Sequence, residues 1–151
     1  MSHENAGMEP LHRYYALWRE SNAMYEEWAK AQGLSLNGLL ILYSVCEDGP
    51  SCTQKQISQK WCIPKQTVHA VLKEFEAKGY MKLIPAVSDR RNKEIQLTSR
   101  GRAFGKQILS KLHAMEAYAM EQMGLETMKE MNDQFARFME LFRKGDPSKN
   151  E

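Results

Sequence analysis

Three cysteines, Cys46, Cys52 and Cys62, are an odd number with no CxxC or Cys/His ligand spacing, so neither a disulfide framework nor a zinc site is expected. The histidines, His3, His12, His69 and His113, are scattered. There is no HExxH, no pair of imidazoles at helical spacing and no glycine-rich phosphate loop. No converging acid, base and nucleophile can be assembled from such a set, so catalysis, a cofactor and a bound metal are not expected. The longest apolar run, Leu39 to Tyr43, falls far short of the roughly 20 residues that cross a bilayer. The polar N-terminus lacks the basic flank and apolar stretch of a secretory signal, which points to the cytoplasm and away from membranes.

What is present is enough for a core. A chain of 151 residues with 42% hydrophobic content is the size of one domain, residues 1–151. Its net charge is only +2, but the charge is unevenly spread. Between Thr53 and Arg102 lie 11 of the 21 Lys/Arg and 4 of the 19 Asp/Glu, so this segment carries +7 and the remainder −5. A basic segment between acidic arms suits a module that meets a polyanion, although a solvated lysine face is the commoner cause of such a pattern.

Helical periodicity predicts a first helix over about Leu11 to Ala31, with Leu11, Tyr14, Tyr15, Trp18, Tyr25 and Trp28 forming an aromatic stripe. Gly33 ends it, and Ser35 caps a second, nearly all-apolar helix that stops at Gly49 and Pro50. Thr53 and Gln56 have capping-box spacing at the start of a short third helix, which carries Ile57 and Trp61 inward. A break at about Trp61 to Ile63 leads to Pro64, expected as the first residue of a fourth helix that ends at Gly79. Two helices joined by so short a turn make a helix-turn-helix. On the fourth helix Val68, Val71, Leu72 and Phe75 form an apolar face, while Gln66, His69, Ala70 and Lys73 repeat the spacing on a polar one. Strands are predicted at Tyr80 to Val87 and Lys93 to Leu97, around an arginine-rich loop. From the cap Thr98, a helix bearing Phe104, Ile108, Leu112, Met115 and Ala119 runs to about Met123. A last one carries Met128, Met131, Phe135, Phe138, Met139 and Phe142.

This order predicts a mainly α fold with a small β-hairpin: a winged helix-turn-helix over residues 34–101, flanked by dimerisation helices over residues 8–31 and 99–144. The major groove of duplex DNA admits one α-helix, whose first turns reach base edges while positive groups meet the phosphates. Lys65, Gln66, Thr67 and His69 occupy that position, with Lys73 further along and Lys55 on the helix before. Gln66 suits adenine, Lys65 guanine or phosphate, and Thr67 a phosphate oxygen. Arg90 and Arg91, on a thin hairpin, are placed to enter the adjacent minor groove, whose negative potential attracts guanidinium.

Over about Leu34 to Gly101 the sequence resembles the MarR (multiple antibiotic resistance regulator) transcription factors. Asp89, Arg90 and Arg91, then five residues, Leu97 and Thr98, and finally Gly101 match the family's wing signature D-x-R-x5-L-T with its following glycine. Thr67 to Gly79 resembles the family's recognition helix with its "LEkkG" ending. The resemblance implies a dimeric regulator, expected as a repressor on a palindromic operator, in which Arg91 enters the minor groove and Asp89 braces it. Many members carry Ser-Thr-Val-Thr-Arg where this chain has Gln66, Thr67, Val68, His69 and Ala70, so the binding mode carries over and the base preference does not. The family's hydroperoxide sensors use a first-helix cysteine, which is missing here, and clustered His and Glu zinc ligands are not evident.

Family members often hold effectors between the terminal helices and the DNA-binding lobe, which implies a small aromatic or hydrophobic effector as a further partner. The first-helix aromatics read first as dimer core and second as an effector lining, for which Tyr14, Trp18 and Tyr43 are the candidates. Cys62 reads first as a buried structural thiol and second as an oxidant sensor. The alternatives to a DNA reader are therefore a thiol-based redox regulator and a winged helix that binds protein; Lys65 and Lys73 keep the basic character that the latter would lose.

Overall fold

In the computed structural model residues 7–49, 52–87, 91 and 93–149 are described. They form α1 (Met8–Ala31), α2 (Leu36–Glu47), α3 (Gln54–Trp61), α4 (Lys65–Ala77), β1 (Met81–Pro85), β2 (Lys93–Leu97), α5 (Ser99–Met123) and α6 (Leu125–Lys144), then a 3-10 turn at Pro147–Lys149. The fold is mainly α with one small antiparallel hairpin, a winged helix-turn-helix as expected. Two compact units divide the chain, residues 1–108 and 109–151, with the boundary inside α5.

α1 starts earlier than its periodicity indicates and takes in Pro10. A proline is tolerated there because the first N–H groups of a helix have no intrahelical acceptor. The helix closes at Gly33 (φ +80°), where Gly33 N–H donates to Lys30 O (3.0 Å) and Leu34 N–H to Ala29 O (2.9 Å). This double bond pattern needs a left-handed residue, which glycine supplies without steric cost, and it brings the buried Ala29 and Leu34 together.

Ser35 Oγ accepts from Gly38 N–H at 2.9 Å and sets the start of α2. Leu39, Ile41, Leu42 and Val45 of α2 are buried with Ile57 of α3, Val68, Leu72 and Phe75 of α4, Met81 of β1 and Ile95 of β2. Each such side chain contributes roughly 1.5–3 kcal/mol on leaving water. Ser44 is a buried polar residue of this core, and Trp61 satisfies it by donating its indole N–H to Ser44 Oγ at 2.7 Å.

β1 is shorter than Tyr80 to Val87. Tyr80 N–H is already donated to Phe75 O (2.9 Å) in closing α4 at Gly79 (φ +76°), and beyond Pro85 the chain leaves the ladder, with Val87 fully exposed. The register pairs Met81 with Leu97, Leu83 with Ile95 and Pro85 with Lys93. Ile95 faces the core and Gln96 the solvent, while Glu94 and Leu97 are both half-buried. A bridge that sequence reading missed adds Thr53 beside Glu94, with Ile95 N–H donating to Cys52 O at 3.1 Å. Two residues are too few to show a period.

Thr98 fastens the hairpin to α5. Its hydroxyl donates to Gly79 O (2.6 Å) and accepts from Gly101 N–H (3.0 Å), and its N–H donates to Tyr80 O (3.0 Å). Tyr80 stacks on Phe104, with ring centroids 4.2 Å apart, and meets Phe75 edge-on at 6.1 Å. Farther along α5, Ile108, Leu109 and Leu112 are buried while Met115 is 55% exposed; α6 has no buried residue.

Candidate nucleic-acid interface

The helix-turn-helix is built locally. Thr53 Oγ1 accepts from Gln56 N–H at 3.3 Å while Gln56 Oε1 accepts from Thr53 N–H at 2.9 Å, completing the capping box at the start of α3. The turn spans only Cys62, Ile63 and Pro64. Cys62 adopts a left-handed conformation (φ +53°), and Ser58 closes the reversal by accepting Ile63 N–H at its carbonyl (3.2 Å) and donating its hydroxyl to Ile63 O (2.7 Å). Pro64 is the N-cap of α4, one position before its expected place, with Val68 N–H donating to Pro64 O at 3.1 Å.

The expectation that Cys62 is a buried structural thiol is corrected here, because Cys62 is exposed. The left-handed residue of a tight turn turns its side chain out, and Ile63 takes the inward place at 5% exposure. Cys52 has the burial expected of Cys62, and Cys46 is half-buried. Burial first, then the negative charge of Glu47 at Cys46 and of Asp48 at Cys52, pushes each thiol up to about 11. Both stay protonated and poorly nucleophilic at neutral pH.

α4 divides as its periodicity predicts. Val68, Leu72 and Phe75 are buried and Val71 is half-buried; Lys65, Gln66, His69, Ala70 and Lys73 are exposed, and Thr67 is half-buried between the faces. Lys55 is exposed near the start of α3. Arg91 is exposed just ahead of β2, whereas Asp89 and Arg90 lie outside the described residues.

Two side chains that sequence reading did not single out organise this face. Gln54, the first residue of α3, reaches His69 on α4, with Gln54 Nε2 and His69 Nδ1 at 3.2 Å. Glu76 accepts Leu83 N–H from β1 at 3.0 Å and holds the Lys73 ammonium at 3.1 Å, tying α4 to the hairpin. These two bonds, the backbone donor above all, hold the Glu76 carboxyl below its usual range. The glutamate of the "LEkkG" ending was a signal for Glu76. Gln54 meets His69 across 15 residues, and no local pattern announces it.

Of the effector candidates, Tyr14 is half-buried and lies edge-on to Tyr15 (5.5 Å), and Trp18 is 57% exposed. Tyr43 is half-buried and edge-on to Trp61 (6.0 Å), with the Lys60 ammonium 5.7 Å from its ring centre. Asp48 holds Lys60 through both carboxylate oxygens, at 3.0 and 3.1 Å. Among the described residues no three His, Cys, Asp or Glu converge as metal ligands, and no helix is long and apolar enough to cross a membrane.

A family model for the MarR family matches residues 32–92, from the end of α1 through the helix-turn-helix and β1 to just before β2. A MarR family regulator from Neisseria meningitidis has a similar structure over 96% of this chain and 99% of its own, with a TM-score of 0.76 and 25% sequence identity. Residues 32–92, two fifths of the chain, therefore resemble the MarR family. The chain is 28% identical over 89 residues to the HTH-type transcriptional regulator SarZ of Staphylococcus epidermidis, a match spanning 59% of this chain and 60% of that protein. The Staphylococcus aureus MarR in complex with salicylate and kanamycin shares the fold, with a TM-score of 0.71 and 18% identity over 94% of this chain and 95% of its own.

Proposed function

We propose that this chain is a homodimeric transcriptional repressor of the MarR family that binds double-stranded operator DNA in the cytoplasm and acts by binding, not catalysis. The observation that carries the reading is the outer face of α4. Lys65, Gln66, His69, Ala70 and Lys73 stand exposed opposite the buried Val68, Leu72 and Phe75, with exposed Lys55 and Arg91 on neighbouring elements of a segment whose net charge is +7. A helix so held can enter a major groove while cations meet the phosphates and the wing meets the minor groove. Arg90 beside Arg91, and Asp89 bracing it, belong to this proposal.

The dimer is proposed to form through α1, α5 and α6. Tyr15, Leu17, Trp18 and Met24 of α1, Met115 and Tyr118 of α5, and Leu125, Met131 and Phe142 of α6 are between 47% and 75% exposed, an apolar surface suited to a second copy. Twofold symmetry then presents two copies of α4 to half-sites roughly 34–36 Å apart. Tyr14, Trp18 and Tyr43 are proposed to receive a small aromatic or hydrophobic effector that releases the DNA.

A band-shift assay with duplex DNA from upstream of the protein's own gene tests the reading. A retarded complex is expected, and inserting half a helical turn between the half-sites should greatly weaken it. Indifference to that insertion, or no complex at all, would contradict the model.

A further inference from the structure

We infer that Gln54 is a positioning residue that fixes His69 as a hydrogen-bond donor into the major groove, so that His69 selects a guanine. The inference rests on the proposed DNA reading and adds what that reading lacks, the base class read at the position where many family members have threonine. An amide nitrogen can only donate. With Gln54 Nε2 3.2 Å from His69 Nδ1, the ring nitrogen is the acceptor, so in the neutral imidazole the proton is on Nε2. His69 is exposed on the same face as Gln66 and Lys73, while Gln54 is half-buried at the first position of α3. The bond therefore joins the two helices of the helix-turn-helix at the outer face. It engages Nδ1 and leaves Nε2–H as the ring's remaining polar group.

A single fixed donor is refused by cytosine and is best met by guanine, the base with two neighbouring acceptors. In the major groove guanine offers two neighbouring acceptors, O6 and N7. Adenine sets an amino donor beside its N7, thymine sets a methyl group beside O4, and cytosine offers only a donor. Ala70, next along the helix, adds no polar group that would compete for the same edge.

The test is selection of binding sites from a randomised duplex pool by the full-length parent, Gln54→Ala and His69→Ala, with melting temperatures measured alongside. The parent should enrich a G·C pair at one position of each half-site. His69→Ala should lose that preference alone, and Gln54→Ala should weaken it roughly 3- to 10-fold, the scale of one hydrogen bond, with other positions and the melting temperature unchanged. Long-range proton–nitrogen NMR of the DNA-free parent should show Nε2 protonated and Nδ1 bare, with a more mixed signature in Gln54→Ala. An A·T pair at the relaxed position, a Gln54→Ala pool identical to the parent's, or a protonated Nδ1 in the parent overturns the inference while leaving DNA binding intact. A parent that enriches no sequence overturns the DNA reading, and this inference with it.

Discussion

Gly101 has no room for a side chain: a Cβ built on it would collide with the Tyr80 carbonyl oxygen, the same oxygen that accepts Thr98 N–H at 3.0 Å. Gly101→Ala must push α5 away from the start of β1 or break the Thr98 bonds. The expected cost is about 1–3 kcal/mol, the usual range for overpacking, read as a lowered midpoint in urea with an unchanged slope. At this scale much was legible. The capping box at Thr53 and Gln56, the cap of Thr98 on Gly101 and the stop at Gly79 are local chemistry, set by residues at most five apart. Cys62 was misread because its environment depends on which residue of a tight turn takes the left-handed conformation.

Between elements, Glu76 is the clearest coupling, since one carboxylate holds both the Lys73 ammonium and a backbone donor of β1. Its pKa is lowered from the ordinary 4.5, so the stabilisation is fully present above that value and is lost as pH falls through the lower folded-state value. Glu76→Gln keeps an acceptor for Leu83 N–H but removes the charge pair. It should melt below the parent at neutral pH, by a difference on the order of 0.2–1 kcal/mol, and the two melting curves should converge in acid below the carboxylate range. A gap that persists in acid would place the effect elsewhere. The helices and hairpin themselves were readable because each holds a whole period of apolar residues, whereas Gln54 with His69 and Cys52 with Ile95 are contacts between segments far apart in sequence. No local pattern records those.

For the whole molecule, residues 53–102, with a net charge of +7, carry the exposed face of α4, and the apolar residues exposed on α1, α5 and α6 are proposed to meet a second copy. Light scattering at micromolar concentration should report about twice the 17.5 kDa chain mass, and a clean monomer would refute the proposed interface. The measurement that tests the central claim most directly is a titration of operator DNA with the parent, Arg91→Ala and Lys73→Ala at several salt concentrations. The account predicts tight, salt-sensitive binding by the parent, because cations displace counterions from the phosphates. Arg91→Ala should lose about 1–3 kcal/mol and flatten the salt slope by about one unit, since a guanidinium in a narrow groove meets a focused potential. Lys73→Ala should lose less, because Glu76 already holds that ammonium at 3.1 Å. Binding by Arg91→Ala equal to the parent's, with failure of Lys73→Ala, would contradict the account by showing that the wing does not grip the DNA.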